Sequence, residues 1–355
     1  MEAIQNKNAG ALISIAAVIV IVFGMQAAKV LLVPFLLAVF LALIAVRPML
    51  WLQERKVPAI AAALLIVTAM MLVLAVFGVI VGSSIADFTA ALPTYQARLD
   101  SIVNATIKFA SRLAGDEQSF ANLNDLINPG WAMGMAANIL NALRDALTNT
   151  FLILFTMVFI LLEASSARVK IRAAFGRDAS TMKGPRAFLV NLGRYLGIKT
   201  IVSMVTGLTA GLLTWAIGLD FPLLWGMLAF LFNYVPTIGS IIAAVPAVLM
   251  ALVQLGIGDA TSTAIGFLAI NVVFGNFIEP RLMGYGVGIS PLIVFVGLVL
   301  WGWIFGPVGM LLSVPLTMTL KMALESNEQT RWIAILIGSV RDAEHALANP
   351  DDAAA

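Results

Sequence analysis

Apolar runs as long as a bilayer is thick dominate this chain. They fall at roughly 10–27, 30–46, 59–83, 148–163, 195–218, 222–254, 259–279 and 290–323. A helix rises about 1.5 Å per residue, so about 20 apolar residues cross the hydrocarbon core. In hydrocarbon every backbone N–H and C=O must be paired within the protein, and a helix does this unaided. The fourth run is short, and its helix is expected to extend backward. The sixth and eighth are too long for one regular, upright span. Each holds helix-breaking residues near its middle: Pro236 and Gly239 in one, Gly302, Gly306 and Pro307 in the other.

Composition excludes a soluble alternative. Of 355 residues, 61% are hydrophobic and 11% are charged. A soluble domain carries about 45–50% apolar and about 25% charged residues, and one compact core cannot bury the surplus. The expected fold is all-α: a polytopic membrane helix bundle of about eight membrane segments, two of them broken or re-entrant, with an extracytoplasmic helical insertion. A formal net charge of +2 is too mild to indicate nucleic acid. The chain has no cysteine, which excludes disulfides, thiolate metal sites and thiol catalysis. The first run lacks a clear small-residue cleavage site and leads directly into the second, so it reads as a retained membrane helix.

Orientation follows from Lys and Arg in the short loops. Arg47, Arg55 and Lys56 lie between the second and third runs, and Arg168, Lys170, Arg172, Arg177, Lys183 and Arg186 follow the fourth. Lys321, Arg331 and Arg341 lie near the end. Placing all three clusters in the cytoplasm puts both termini inside. Eight crossings satisfy that parity, and so do two re-entrant hairpins; crossings with broken helices are the preferred reading. Four regions result: membrane helices at 1–83, an extracytoplasmic insertion at 84–148, membrane helices with broken segments at 149–325, and a cytoplasmic tail at 326–355.

In the insertion, Ile85, Phe88, Leu92, Tyr95, Leu99, Ile102, Thr106, Phe109 and Leu113 recur at steps of three and four, a heptad seam. Pro93 is expected to interrupt the seam and to open a new helix. Asn128-Pro129-Gly130 is a turn, and a second helix is expected from about Met133 into the fourth span. The two helices pack either on each other or on other subunits.

Polar groups at membrane depth are expensive, so they mark candidate pathways. Asn233, Tyr234, Pro236 and Thr237 sit mid-segment. A break there frees backbone groups, which survive at depth only when buried in protein or lining a wet cavity. Transporters bind solutes at such discontinuous helices; the bland alternative is a simple proline kink. Asn271, Asn276, Glu279 and Arg281 form a second constellation. At α-helical spacing Asn276 and Glu279 share a face, while Asn271 lies about 140° round from Asn276. Glu279-Pro280-Arg281 is expected to end that helix. Glu279 could take a proton or a cation, with Arg281 orienting it, or the two could be an interfacial anchor. Lys199 is expected to snorkel to the surface; its alternative is a counter-charge for Glu279. Asp220 and Gln254 fall near loop ends and are expected to be solvated. Trp301 and Trp303 are expected to mark an interface belt.

Enzyme chemistry finds little support. Gly256-Ile257-Gly258-Asp259 matches a GxGD protease pattern, but no second aspartate lies inside a span to share its proton. The sole histidine, His345, is in the polar tail. HExxH and Walker A patterns are absent. No cofactor and no metal site are expected, and direct ATP-driven pumping by this chain alone is not.

The chain resembles the autoinducer-2 exporter family. The stretches that carry the resemblance are Asn233-Tyr234-Val235-Pro236-Thr237-Ile238-Gly239, Asn276-Phe277-Ile278-Glu279-Pro280-Arg281-Leu282-Met283-Gly284, and Trp301-Gly302-Trp303 with Gly306-Pro307-Val308-Gly309 and the residues through Leu316. Val33-Pro34-Phe35, Pro48 and the helical insertion fit as well. The resemblance implies a multi-pass protein of the bacterial inner membrane that exports autoinducer-2, with effects on quorum sensing and biofilm formation. It also implies a homo-oligomer, a pentamer being one count it suggests. Its partners are then a small solute and the bilayer. Sodium–proton or other cation–proton exchange through Glu279 is the alternative, and an oligomeric envelope scaffold a further one.

Overall fold

The computed structural model describes residues 2–114, 134, 150–175, 183–236, 238–283, 288–340, 343–344 and 347. Among them all regular structure is helical. Helices α1 (Glu2–Ala27), α2 (Lys29–Glu54) and α3 (Ala59–Ala114) come first. Helices α4 (Thr150–Phe175), α5 (Lys183–Ile217), α6 (Pro222–Phe232), α7 (Gly239–Gln254) and α8 (Ile257–Ile270) follow. A π-helix, Asn271–Ile278, joins α8 to α9 (Glu279–Met283). The chain continues through α10 (Pro291–Phe305), α11 (Pro307–Leu311), α12 (Ser313–Glu325) and α13 (Arg331–Ile337).

Among the described residues, four stretches are long and apolar enough to cross a membrane: Lys29–Glu54, Ala59–Phe88, Phe188–Ile217 and Ile257–Met283. Helices α6, α7 and α10 are apolar but have only 11, 16 and 15 residues. Each falls short of the roughly 20 that a crossing needs. Large apolar side chains stand outward along these helices, among them Val30, Val79 and Trp215. Lipid, unlike water, sets no penalty on that arrangement.

The chain divides into two compact units. One comprises Met1–Thr68, Phe151–Gly197 and Tyr285–Ala355. In it α10 and α12 run antiparallel. Lys321 Nζ on α12 donates to the Gly288 carbonyl before α10 at 2.8 Å, and Trp301 Nε1 donates to Thr317 Oγ1 at 3.1 Å. The reversal pivots on Gly306, whose φ of 70° suits glycine. Trp301 and Phe305 stack at 6.0 Å and pack with Ile304 against Val22, Met25 and Val33. Trp301 is therefore a core residue, held by its hydrogen bond to Thr317, and not part of an interface belt. Trp303 is exposed and meets Phe23 edge-on at 5.8 Å.

The second unit comprises Ala69–Thr150 and Ile198–Gly284. Here α6 and α7 fold back on each other. The Asp220 N–H donates to Gln254 Oε1 at 2.9 Å, and Gln254 Nε2 donates to the Gly218 carbonyl at 3.2 Å. These bonds close the base of a hairpin. Asp220, exposed as expected, and Gln254 thus also hold the base of the hairpin together. At the tip, Gly239 packs so tightly on the Phe232 carbonyl that a Cβ would lie 1.8 Å from its oxygen. Helix α6 meets α5 backbone to backbone, with Gly207 and Gly211 facing Gly226. Trp225, Leu224, Leu228, Ala247, Met250 and Phe267 fill the core between them.

Helix α3 runs through Pro93 without stopping, contrary to the expected interruption. Anchors on either side hold it. Phe88 is buried against Phe221, and the Tyr95 hydroxyl donates to Asp220 Oδ2 at 3.0 Å. Pro93 itself is exposed, so only one helical hydrogen bond is forgone there. The side chains of Ile85, Leu92, Leu99, Ile102, Thr106, Phe109 and Leu113 lie outside the described residues, as do the Asn128-Pro129-Gly130 turn and the helix expected from Met133.

Candidate functional site

Three elements of the second unit bring polar groups together: α5, the α6–α7 turn and the π-helix. On α5, Lys199, Ser203 and Thr206 are spaced by four and three, so they share a face, with Thr200 beside them. Ser203, Thr206 and Lys199 are all buried. Sequence reasoning singled out Lys199 alone. Hydroxyls in apolar helices are usually silent because they bond their own backbone. The three-and-four spacing from Lys199 to Thr206 was the available signal.

The turn residues dock on this face. Asn233 Nδ2 donates to Ser203 Oγ at 2.9 Å, and the Tyr234 hydroxyl donates to Thr200 Oγ1 at 2.8 Å. Within the turn, the Tyr234 N–H reaches the Leu231 carbonyl at 3.2 Å and the Val235 N–H the Phe232 carbonyl at 2.9 Å. The chain therefore reverses here with its backbone largely paired. Pro236, half-buried, sits at the reversal. Thr237 lies outside the described residues.

The π-helix changes which residues share a face. Its i→i+5 hydrogen bonds widen the turn, so residue i+5 comes to share a face with residue i. Asn276 thus turns closer to the face of Asn271 than the about 140° that α-helical spacing had set. The Oδ1 of Asn271 lies over Gly275, 3.1 Å from where a Cβ would stand. Asn276 is exposed, and Asn271 is half-buried. The helix does not end at Glu279-Pro280-Arg281 but continues as one α turn to Met283. Pro280 has no amide to extend the π ladder, which gives way at that point.

Glu279 Oε1 lies 2.5 Å from Lys199 Nζ. Lys199 therefore does not snorkel. It is 5% exposed and spends its charge on the carboxylate, because an unpaired ammonium in a low-dielectric interior is far costlier than a paired one. Arg281, the expected partner of Glu279, is exposed.

Next to the ladder is a cavity of about 20 Å³, lined by Thr206, Asn233, Ser240 and Asn271 on its polar side and by Ala229 and Phe267 among its apolar residues. That is room for one water-sized group. Its polar lining is uncharged: two hydroxyls and two amides. The rest of the wall is apolar, and such a lining suits a small neutral group. The Lys199–Glu279 pair is separate from the lining.

The family model for AI-2E family transporters matches residues 13–329. The chain belongs to the AI-2E transporter family. The AI-2 transport protein TqsA of Escherichia coli (strain K12) is 36% identical over 329 residues, which cover 92% of this chain and 95% of that one. A Haemophilus influenzae protein, named for transport without a substrate, is 37% identical over 336 residues, 93% of this chain and 97% of its own. YhhT of Escherichia coli (strain K12), named likewise, is 32% identical over 346 residues, 96% and 98% of the two chains. As an AI-2E family member with these apolar helices, the chain is a multi-pass inner-membrane transporter of a small solute. Its relatives bear the names of transport proteins and not of enzymes.

Proposed function

We propose that this transporter exports autoinducer-2 or a similar small, neutral, hydroxylated signalling metabolite, and so affects quorum sensing and biofilm formation. The observation that carries the reading is the uncharged cavity between Thr206, Asn233, Ser240 and Asn271, in a chain 36% identical to a protein named for AI-2 transport. In this reading the α6–α7 turn and the π-helix line the path, with Asn233, Tyr234, Pro236, Thr237, Asn271 and Asn276 along it. Arg281 is proposed at its rim and the Lys199–Glu279 pair beside it. The water-sized cavity is then a closed state, and the path opens by movement of the hairpin tip against α5.

The closed base at Asp220 and Gln254 favours reading α6–α7 as a re-entrant hairpin. The antiparallel α10–α12 pair favours the same reading for the second broken segment. With both re-entrant, the remaining spans still leave both termini cytoplasmic. Residues 84–148 are then extracytoplasmic, 1–83 and 149–325 form the membrane body, and 326–355 are a cytoplasmic tail. A homo-oligomer, a pentamer among its possible counts, is proposed from the family resemblance.

A second reading, cation–proton exchange, is favoured by one observation: the buried Lys199–Glu279 pair. The purified protein in liposomes separates the two. Loaded autoinducer-2 is followed with and without an imposed proton or sodium gradient. Efflux above empty liposomes supports export. A sodium-dependent pH change inside the vesicles, with no autoinducer-2 efflux, would replace it with exchange.

A further inference from the structure

Six threonines in the described helices share a habit that Thr206 does not. Thr209, Thr214, Thr261, Thr263, Thr317 and Thr319 each donate their hydroxyl to the carbonyl four residues back, at 2.7–3.0 Å. That bond is the low-cost way to satisfy a hydroxyl in an apolar helix. Thr206, in the same helix as Thr209 and Thr214, does not make it. The residue is 7% exposed, and its Oγ1 has no hydrogen-bond partner among the described residues. The residue lines the cavity with Asn233, Ser240 and Asn271. A buried hydroxyl without a partner is unfavourable. The cavity is where a hydroxyl kept off the backbone finds a partner.

We propose that Thr206 is a specificity-determining residue that hydrogen-bonds one hydroxyl group of the transported solute. The cavity holds one water-sized group, which is the size of a hydroxyl with its carbon outside. Asn233 has committed its Nδ2 to Ser203, so its carbonyl oxygen is left as an acceptor for the solute's proton. The Thr206 hydroxyl, free to rotate, then donates to the same solute oxygen. A site of this kind selects against a solute that lacks the hydroxyl, because its own polar groups would stay unpaired. The inference rests on the export reading and names the atom that reads the solute.

The test uses full-length protein in liposomes, with autoinducer-2 and an analogue lacking one hydroxyl as the two probes. Wild type, Thr206→Val and Thr206→Ser are compared. Valine keeps the shape and removes the hydroxyl; serine keeps the hydroxyl. For Thr206→Val we expect KM for autoinducer-2 to rise about tenfold, with KM for the analogue unchanged, so that the preference between them collapses. Thr206→Ser should keep the preference. Should the valine variant fail to reach the membrane, Thr206→Ala against Thr206→Ser makes the same comparison. An unchanged preference in Thr206→Val, or an equal rise for both probes, overturns the assignment while leaving export standing. Wild-type protein that moves neither probe overturns both.

Discussion

Lys199 and Glu279 depend on each other in a way that single substitutions expose. Lys199→Met leaves a largely buried carboxylate without its cation, which costs about 3 kcal/mol. Adding Glu279→Gln should restore most of the loss, read as thermal unfolding in detergent. A double variant no more stable than the single would show that the pair carries no such coupling. Tyr95 offers a test by pH. Burial, then the hydrogen bond to Asp220, pushes its hydroxyl up to about 12. The ordinary value is about 10, so the folded protein holds this proton more tightly than the unfolded chain. The stabilisation is complete below about pH 10 and is lost as pH rises toward 12. Tyr95→Phe should flatten alkaline unfolding over that window, and an unaltered profile would remove Tyr95 from the account. Several of these residues were visible in the sequence as intramembrane polar groups, but which partners they take was not decided there. Glu279 was read first with Arg281, two positions away, and Lys199 stood only as an alternative counter-charge, because sequence shows neighbours along one helix and does not rank those across a helix interface. Asp220 and Gln254 were read as solvated for the same reason: their bond joins residues 34 positions apart.

The two hairpins turn on a shared device, a glycine set against an earlier carbonyl. A Cβ on Gly239 would stand 1.8 Å from Phe232 O, and one on Gly309 would stand 1.8 Å from Trp301 O. Backbone cannot yield to that contact as a side chain can. Gly239→Ala should therefore sharply reduce the amount of folded protein recovered from membranes. Gly302→Ala, which meets only the flexible Met310 side chain, should be milder. Equal recovery of the two variants would contradict the packing. The π-helix makes a different prediction. It differs from an α-helix by one inserted residue, so deleting the exposed Val273 should restore α-helical winding. The tighter α winding makes up part of the residue lost, so Glu279 would turn relative to Lys199 by roughly half of the 100° that one residue spans. Transport should fall while membrane insertion is kept, and undiminished flux would show that the π winding has no role. Proline and glycine announced both breaks in the sequence. The π winding was not legible: Asn271–Ile278 looks like any apolar helix with two amides, and only its hydrogen-bond register sets it apart. Pro93 misled in the other direction, because the anchors that carry the helix past it, Phe88 and Tyr95, act through contacts with Phe221 and Asp220.

At the scale of the molecule, the class was the most legible property. Length of apolar runs fixes a membrane helix protein, since no other backbone pairing is open to such stretches. The division into two units was not legible, because both are assembled from distant pieces of chain. Orientation is open to a direct check: a reporter active only in the cytoplasm, fused after residue 340, should be active, and the same reporter inserted near residue 104 should be silent. Signal from the second fusion would invert the proposed topology. The central claim is that a neutral solute passes beside the α6–α7 turn and the π-helix. The most direct measurement is the rate of autoinducer-2 efflux from liposomes bearing wild-type protein or Asn233→Ala/Asn271→Ala protein at equal reconstituted amount. The account predicts efflux well above empty liposomes for wild type and a fall of tenfold or more, about 1.4 kcal/mol, for the variant. Wild-type efflux that the double substitution leaves unchanged would place the path elsewhere and contradict it.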